Sequence, residues 1–187
     1  MRLPLTKRSV GPRAFWLAAL LALWPLCGSA RGVYLTAEAF LAEAFAGAEP
    51  RLETLWLSPE IKQRATRILD HPPAGLRLRF WRAGSRTAWI LDEIGKTHPI
   101  TIGVVVEDGA VAAIRVLEFR ESRGDEVRFP FFTQQFEGVG LKAGEALRLD
   151  RTIDGITGAT LSVSAMERVA RLALLFHAEA TGGSAGA

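Results

Sequence analysis

Apolar and polar positions along the chain follow two periods. From Thr36 to Gly47, Ala37, Phe40, Leu41, Ala44 and Phe45 fall on one helical stripe, with Thr36 placed to cap the start and Gly47 to stop it. A second helix is predicted from Pro59 to Leu69. Ser58 is its cap, Pro59 holds the first helical position, Glu60 lies in the first turn, and Ile61, Ala65 and Ile68 face inward. His71-Pro72-Pro73 ends it. The period then changes to two. Leu76, Leu78 and Phe80 alternate with Arg77 and Arg79, which predicts a half-buried antiparallel strand, and Thr87 to Ile94 reads as another. Ile100 to Glu107 and Ala110 to Arg120 flank Asp108-Gly109, a two-residue hairpin turn whose glycine supplies the positive φ. A charged, glycine-bearing turn, Glu121 to Asp125, leaves the hairpin. Phe129 to Phe136 is a short helix or irregular apolar segment closed by Gly138 and Gly140, and a last helical pattern ends near His177. The sum is one α+β domain, an antiparallel sheet with flanking helices, over about residues 31–180.

The N-terminus has a different character. Arg2, Lys7, Arg8 and Arg13, with no acid among them, precede the apolar run Ala14 to Leu26, and the small residues Gly28, Ser29 and Ala30 follow. This is the layout of a secretory signal cleaved near Ala30, because 13 apolar residues fall short of the roughly 20 that span a bilayer. An uncleaved anchor is the alternative. Either way the domain is expected outside the cytoplasm, in the periplasm or tethered at the membrane through this segment. The tail Thr181 to Ala187, rich in Gly, Ser and Ala, is expected to be disordered.

That segment also changes the charge balance. Without its four cations, the chain's 23 Lys and Arg become 19 against 20 Asp and Glu. No basic stripe with interleaved aromatics remains, so nucleic acid is not an expected partner. Cys27 is the only cysteine and would leave with the signal, so a disulfide, a Cys-ligated cluster and a Cys-x-x-Cys-His haem site are all excluded from the rest. His71, His98 and His177 lack short-spaced partners, against a zinc site. There is no Walker loop, Rossmann glycine pattern or G-x-S-x-G elbow. The acid pairs Asp92-Glu93 and Glu107-Asp108 read as strand-end and turn charges facing water.

The chemistry-bearing stretch is Asp154-Gly-Ile-Thr157-Gly158-Ala159-Thr160, followed by Leu161, Ser162 and Ser164. A hydroxyl-rich turn with a glycine runs straight into the last helical pattern. Unpaired backbone N–H groups and the positive end of the dipole at such a junction suit a phosphate, and the small residues Gly158 and Ala159 leave the backbone open to a bulky ligand. The same residues also read as an ordinary helix start, with Ser164-x-x-Glu167 as its capping box.

Asp154-x-x-Thr157-Gly158-Ala159-Thr160 resembles, at all seven positions, the acceptor motif D-x-x-[ST]-G-A-T of the FMN-binding domain family, found in sodium-translocating NADH:quinone reductase and in the Rnf electron-transport complex. The Gly95-Lys-x-x-Pro99-Ile100 opening, the Glu121-Ser-Arg-Gly124 centre and the Gln135-Phe136-x-Gly138 close are similar to the upstream part of such domains, so the resemblance covers about residues 90–177. It implies FMN joined as a phosphoester to Thr160 by a flavin transferase. Asp154, Thr157, Gly158, Ala159 and Ser162 are the implied surroundings of the attachment. Of the turn usually written Glu-Thr-Pro-Gly-x-Gly, Glu121 and Gly124 carry over and Ser122 and Arg123 do not. Trp81 and Trp89 could stack on a flavin ring, but strand aromatics pack in cores, and they are assigned there.

What the resemblance implies is an exported flavoprotein that relays electrons with a membrane electron-transfer partner, the cofactor carrying the chemistry and the protein its orientation. A flavin-dependent sensor or maturation factor for a neighbouring redox enzyme, with no electron flow, is the other class.

Overall fold

A computed structural model describes residues 32–142 and 147–182. The signal segment and all but the first two residues of the tail lie outside the described residues. The core is a six-stranded, wholly antiparallel sheet of β1 (Gly32–Val33), β2 (Arg51–Trp56), β3 (Arg77–Ala83), β4 (Arg86–Ile94), β5 (Pro99–Glu107) and β6 (Ala110–Phe119), in the order β1-β6-β5-β4-β3-β2. Around it lie α1 (Ala37–Ala44), α2 (Pro59–Leu69), the single turn α3 (Pro130–Thr133) and the 22-residue α4 (Thr160–Thr181). The α+β antiparallel fold is therefore as the sequence predicts.

The β5–β6 hairpin is the centre of the sheet. Asp108 (φ 51) and Gly109 (φ 80) both take the left-handed region, the two-residue turn whose twist matches the strands. Ile102 to Val106 are buried without interruption because helices cover both faces. On one face, α2 and α4 pack through Ile61, Ala65, Ile68, Val163, Val169 and Leu172 onto Phe80, Trp89, Ile102 and Val104. On the other, α1 sets Phe40 and Ala44 against Ala88, Val105 and Leu117. Gly103 makes the second layer possible: a Cβ there would stand 2.7 Å from the Phe40 ring.

Trp89 is fully buried, stacked on Phe80 at 4.5 Å, and its indole donates to Thr87 Oγ1 at 2.9 Å. Trp81 packs partly buried against the α1 layer. Both are core residues, as expected.

Several expectations need correction. Strand β2 has no counterpart among the elements the sequence predicts, because it is an edge strand: Leu52 and Trp56 on its outer face stay 56 % and 64 % exposed, so burial imposes no apolar alternation. The last helix runs past His177 to Thr181, with Gly182 as its left-handed cap, so Thr181 belongs to the helix and not to the tail. Ser164-x-x-Glu167 is not a capping box. Both residues lie inside α4, whose N-cap is Ala159. Glu93 does not face water; it is buried and ion-paired with Arg168 at 2.8 Å, which ties α4 to β4.

Candidate functional site

Four short segments meet at the head of α4. The first is the turn before it. Ala159 N–H donates to the Ile156 carbonyl at 3.0 Å, closing a turn whose third residue, Gly158, has φ 85. That is a type II turn, which only a residue free to enter the left-handed region fills without strain. A Cβ on Gly158 would meet nothing within 4 Å, so the glycine is required by its backbone angle rather than by crowding.

The second segment is the turn after β6. Gly124, at φ 90, backs onto the helix head: a Cβ there would stand 2.6 Å from Ser162 Oγ and 3.5 Å from Ala159 Cβ. Ala159 and Ser162 are accordingly buried, while Thr160 between them is exposed. Alternation around the first turn of the helix thus separates the two hydroxyls: one is packed away and the other presented. Ala159 is small because it is packed under the Gly124 turn.

The third is the apolar segment closing at Gly138. Phe132 and Phe136 anchor it in the core, edge to face at 5.6 Å, and leave Gln135 Oε1 to accept the Asp154 N–H at 2.7 Å. Asp154 itself is exposed, so its backbone fixes the loop and its carboxylate stays at the surface. In the sequence Gln135 is only one letter of a resembling string; its role as the anchor of the Asp154 loop shows in three dimensions.

The fourth is the β4–β5 turn, and Glu121 belongs to it. One oxygen, Oε1, accepts the backbone N–H groups of Lys96 (2.6 Å), Thr97 and His98 (2.7 Å), and Gly95 provides the room, since a Cβ there would lie 3.3 Å from that oxygen. Burial raises the Glu121 pKa, but the three N–H donors outweigh it and bring it down to about 2. The Gly95-Lys-x-x-Pro99 opening and Glu121 are therefore one structural unit. The carboxylate braces that turn, while Gly124, three residues on, reaches the helix head.

The head of α4 suits an anion. Among the described residues no side chain caps it, and its first turn carries no acid. Below it, the loop from Arg148 to Ile153 and the third and fourth turns of α4 enclose a cleft of about 460 Å³. Lys142, Arg148, Arg151 and Arg171 line it against two acids, Asp150 and Glu167. The Arg171 Nε is buried and has no acceptor among the described residues. A buried donor left unmade costs about 1–3 kcal/mol. Desolvation accordingly lowers the Arg171 pKa, offset in part by Glu167. An exposed hydroxyl on an uncapped helix head, on the helix that also walls a cationic cleft, fits a phosphate-bearing ligand.

Residues 95–175 match the family model of the FMN-binding domain. The match covers less than half of the chain, and over that segment the chain is similar to FMN-binding domains. No curated protein and no solved structure matches the chain. The matched segment runs from Gly95, beside the Glu121 carboxylate, to Leu175 in α4, so it spans all four segments of the site.

Proposed function

We propose that the chain binds FMN, carries it covalently as a phosphoester on Thr160, and relays electrons for a membrane-associated redox system outside the cytoplasm. The observation that supports it best is the placement of Thr160: an exposed hydroxyl at the first position of an uncapped 22-residue helix, directly after Asp154-x-x-Thr157-Gly158-Ala159. In the attachment, a flavin transferase supplies FAD. The Thr160 Oγ–phosphorus bond forms as the bond from that phosphorus to AMP breaks, and the hydroxyl proton passes to a base on the transferase. Threonine is a poor nucleophile unaided, and no side-chain base is needed here if the transferase provides one. Once bound, flavin supplies one- or two-electron chemistry.

The apolar run Ala14 to Leu26 behind four cations supports export. A tether is useful there, because a cofactor lost by dissociation in a compartment that does not make it is not replaced, and attachment removes the dependence on free concentration. The test is the intact mass of denatured protein coexpressed with its flavin transferase. One added FMN phosphoester, on a chain beginning near Arg31, is the expected result. Unmodified protein beside an active transferase would remove the covalent reading, and labelled protein that no membrane electron donor reduces would remove the relay.

A further inference from the structure

Strand β2 ends the sheet on one side, and among the described residues no strand pairs with its outer edge. Its ladder with β3 keeps one register from Arg51–Arg82 to Trp56–Arg77. Continued by one residue, that register sets Leu57 opposite Leu76, and the Leu57 N–H donates to the Leu76 carbonyl at 3.0 Å. Bonded and non-bonded pairs alternate in an antiparallel ladder, so Leu55, Glu53 and Arg51 turn their backbone groups to β3, while Leu52, Thr54 and Trp56 turn theirs outward. The Trp56 carbonyl accepts the Ser58 N–H at 3.1 Å and keeps a second lone pair. The opposite edge of the sheet, β1, is only two residues long.

The three outward residues also share a face. Leu52 stands opposite Trp81 and Trp56 opposite Arg77, on the side of the sheet where Trp81 packs toward α1. The helix covers Ala88, Val105 and Leu117 and leaves the β2 end bare, with Leu52 and Trp56 both more than half exposed. The Arg77 guanidinium lies 5.8 Å over the Trp56 ring. Edge strands are commonly blunted by charge, a bulge or short length. Strand β2 is six residues in regular register, with apolar side chains beside its outward donors and acceptors.

We propose that β2 pairs antiparallel with β2 of a second copy about a two-fold axis at Thr54, joining two six-stranded sheets into one. The backbone selects this register, because outward residues must oppose outward residues. An axis at Thr54 engages all three: Thr54 meets its own counterpart, and Leu52 meets Trp56 of the second copy, twice. An axis at Glu53 sets two carboxylates face to face and brings Pro50, which has no N–H, opposite Trp56. An axis at Leu55 sets Leu52 against Ser58, which already caps α2. With Thr54 on the axis, Trp81 and Leu52 continue into Trp56 and Arg77 of the second copy as one row across four strands, and the symmetric row repeats it. Both exposed apolar residues are covered and the outward backbone groups are paired. Such an isologous contact closes on itself, so assembly stops at two.

The experiment uses the full chain expressed in an exporting host and reads its mass by sedimentation over a concentration series. A monomer–dimer equilibrium is expected. Thr54→Pro deletes an outward N–H and leaves the β3 ladder intact, which an edge strand tolerates, and should weaken the dimer by about tenfold or more with an unchanged circular dichroism spectrum. Trp56→Lys, at an exposed side chain, should weaken it without touching the backbone. Cross-linking in a Cys27→Ser background reads the register. Thr54→Cys places two Cα atoms about 5.5 Å apart across the axis, within disulfide range, whereas Arg51→Cys separates them by about 20 Å. Mild oxidation should link the first and not the second. Wild type that stays monomeric up to about 1 mM overturns the proposal, including wild type that instead binds phosphatidylglycerol vesicles through Trp56. Dimers that survive both Thr54→Pro and Trp56→Lys, or that link equally through Arg51→Cys, place the contact elsewhere and overturn it as well.

Discussion

Gly124 and Ser162 are in direct apposition across the head of α4: any Cβ on the glycine would stand 2.6 Å from the serine Oγ. The contact joins the end of the central hairpin to the first turn of the helix that presents Thr160. Rigid strand, glycine turn and helix head are thereby one unit, which is what holding a hydroxyl in a defined direction requires.

Gly124→Ala should fail on two counts. The added methyl overpacks against Ser162, at about 1–3 kcal/mol, and the backbone at φ 90 adds about 1–2 kcal/mol for a residue with a Cβ. Adding Ser162→Ala relieves only the first, because the remaining Ser162 Cβ contact, at 3.4 Å, is ordinary. Urea denaturation of the two single variants and the double should therefore show favourable coupling of about 1 kcal/mol or more. Additive losses would mean that the two residues do not press on one another.

Glu121 predicts a dependence on acid. Its folded-state pKa, about 2, lies below the ordinary 4.5, so the stabilisation is full above the unfolded value and disappears as pH falls from about 4.5 through about 2. Glu121→Gln removes the charge that the Lys96, Thr97 and His98 N–H groups share, at about 1–3 kcal/mol near neutrality. Thermal melts from pH 7 to pH 2 should show the two proteins converging in stability as the carboxylate protonates. Parallel curves would assign the acid sensitivity elsewhere.

The parts of the fold that can be read in the sequence are those where burial enforces a period. Ser58-Pro59 to Leu69 matches α2 to the residue, and Asp108-Gly109 matches the turn, because each couples a local backbone rule to a one-sided core. Strand β2 cannot be read, since its outward residues Leu52 and Trp56 are apolar and exposed. Site residues divide similarly. The Asp154 to Thr160 motif is contiguous and visible as a string. The contacts that shape it, Gln135 with Asp154 and Gly124 with Ser162, span 19 and 38 positions and exist only once the chain is folded. The demand behind Gly158 is hidden in the same way. Openness to a ligand and positive φ both call for glycine, and only the backbone angle, 85°, separates them.

Two glycines of one hairpin should fail for different reasons. Gly109→Val meets no neighbour within 4 Å but forces a β-branched residue to φ 80, a cost of about 1–2 kcal/mol that no partner substitution repairs. Gly103→Ala is free of backbone strain yet drives a methyl into the Phe40 ring at 2.7 Å and Leu117 at 2.8 Å. Its loss, about 1–3 kcal/mol, should be recovered in part by Phe40→Leu. Melting temperatures of the pairs decide both, and rescue of Gly109→Val by Phe40→Leu would contradict the distinction.

Asp154→Ala should lower flavin attachment far more than stability. Its N–H still donates to Gln135, and the lost carboxylate is exposed, so the fold should change by no more than about 0.5 kcal/mol. Gln135→Ala takes away the bond to the loop itself and should cost about 0.5–1.5 kcal/mol. Label yield beside a denaturation curve separates the two effects; full labelling of Asp154→Ala would remove the carboxylate from the site.

Thr160 should be the attachment point, with no neighbouring hydroxyl able to replace it. Ser162 is buried under Gly124, and Ser164 lies a turn further along the helix. Thr157 is exposed but sits at the second position of the type II turn, before the helix begins, so its oxygen does not share the Thr160 direction. Phosphoryl transfer needs the attacking oxygen nearly in line with the leaving group, and an oxygen displaced by several ångströms does not meet that condition. Thr160→Ala should therefore give folded protein without covalent flavin, and Thr160→Ser, which keeps the hydroxyl at the same helical position, should retain partial labelling. In-gel flavin fluorescence after denaturation, with the mass of the peptide containing residues 154–168, reads both. Covalent flavin persisting in Thr160→Ala would move the site to Thr157.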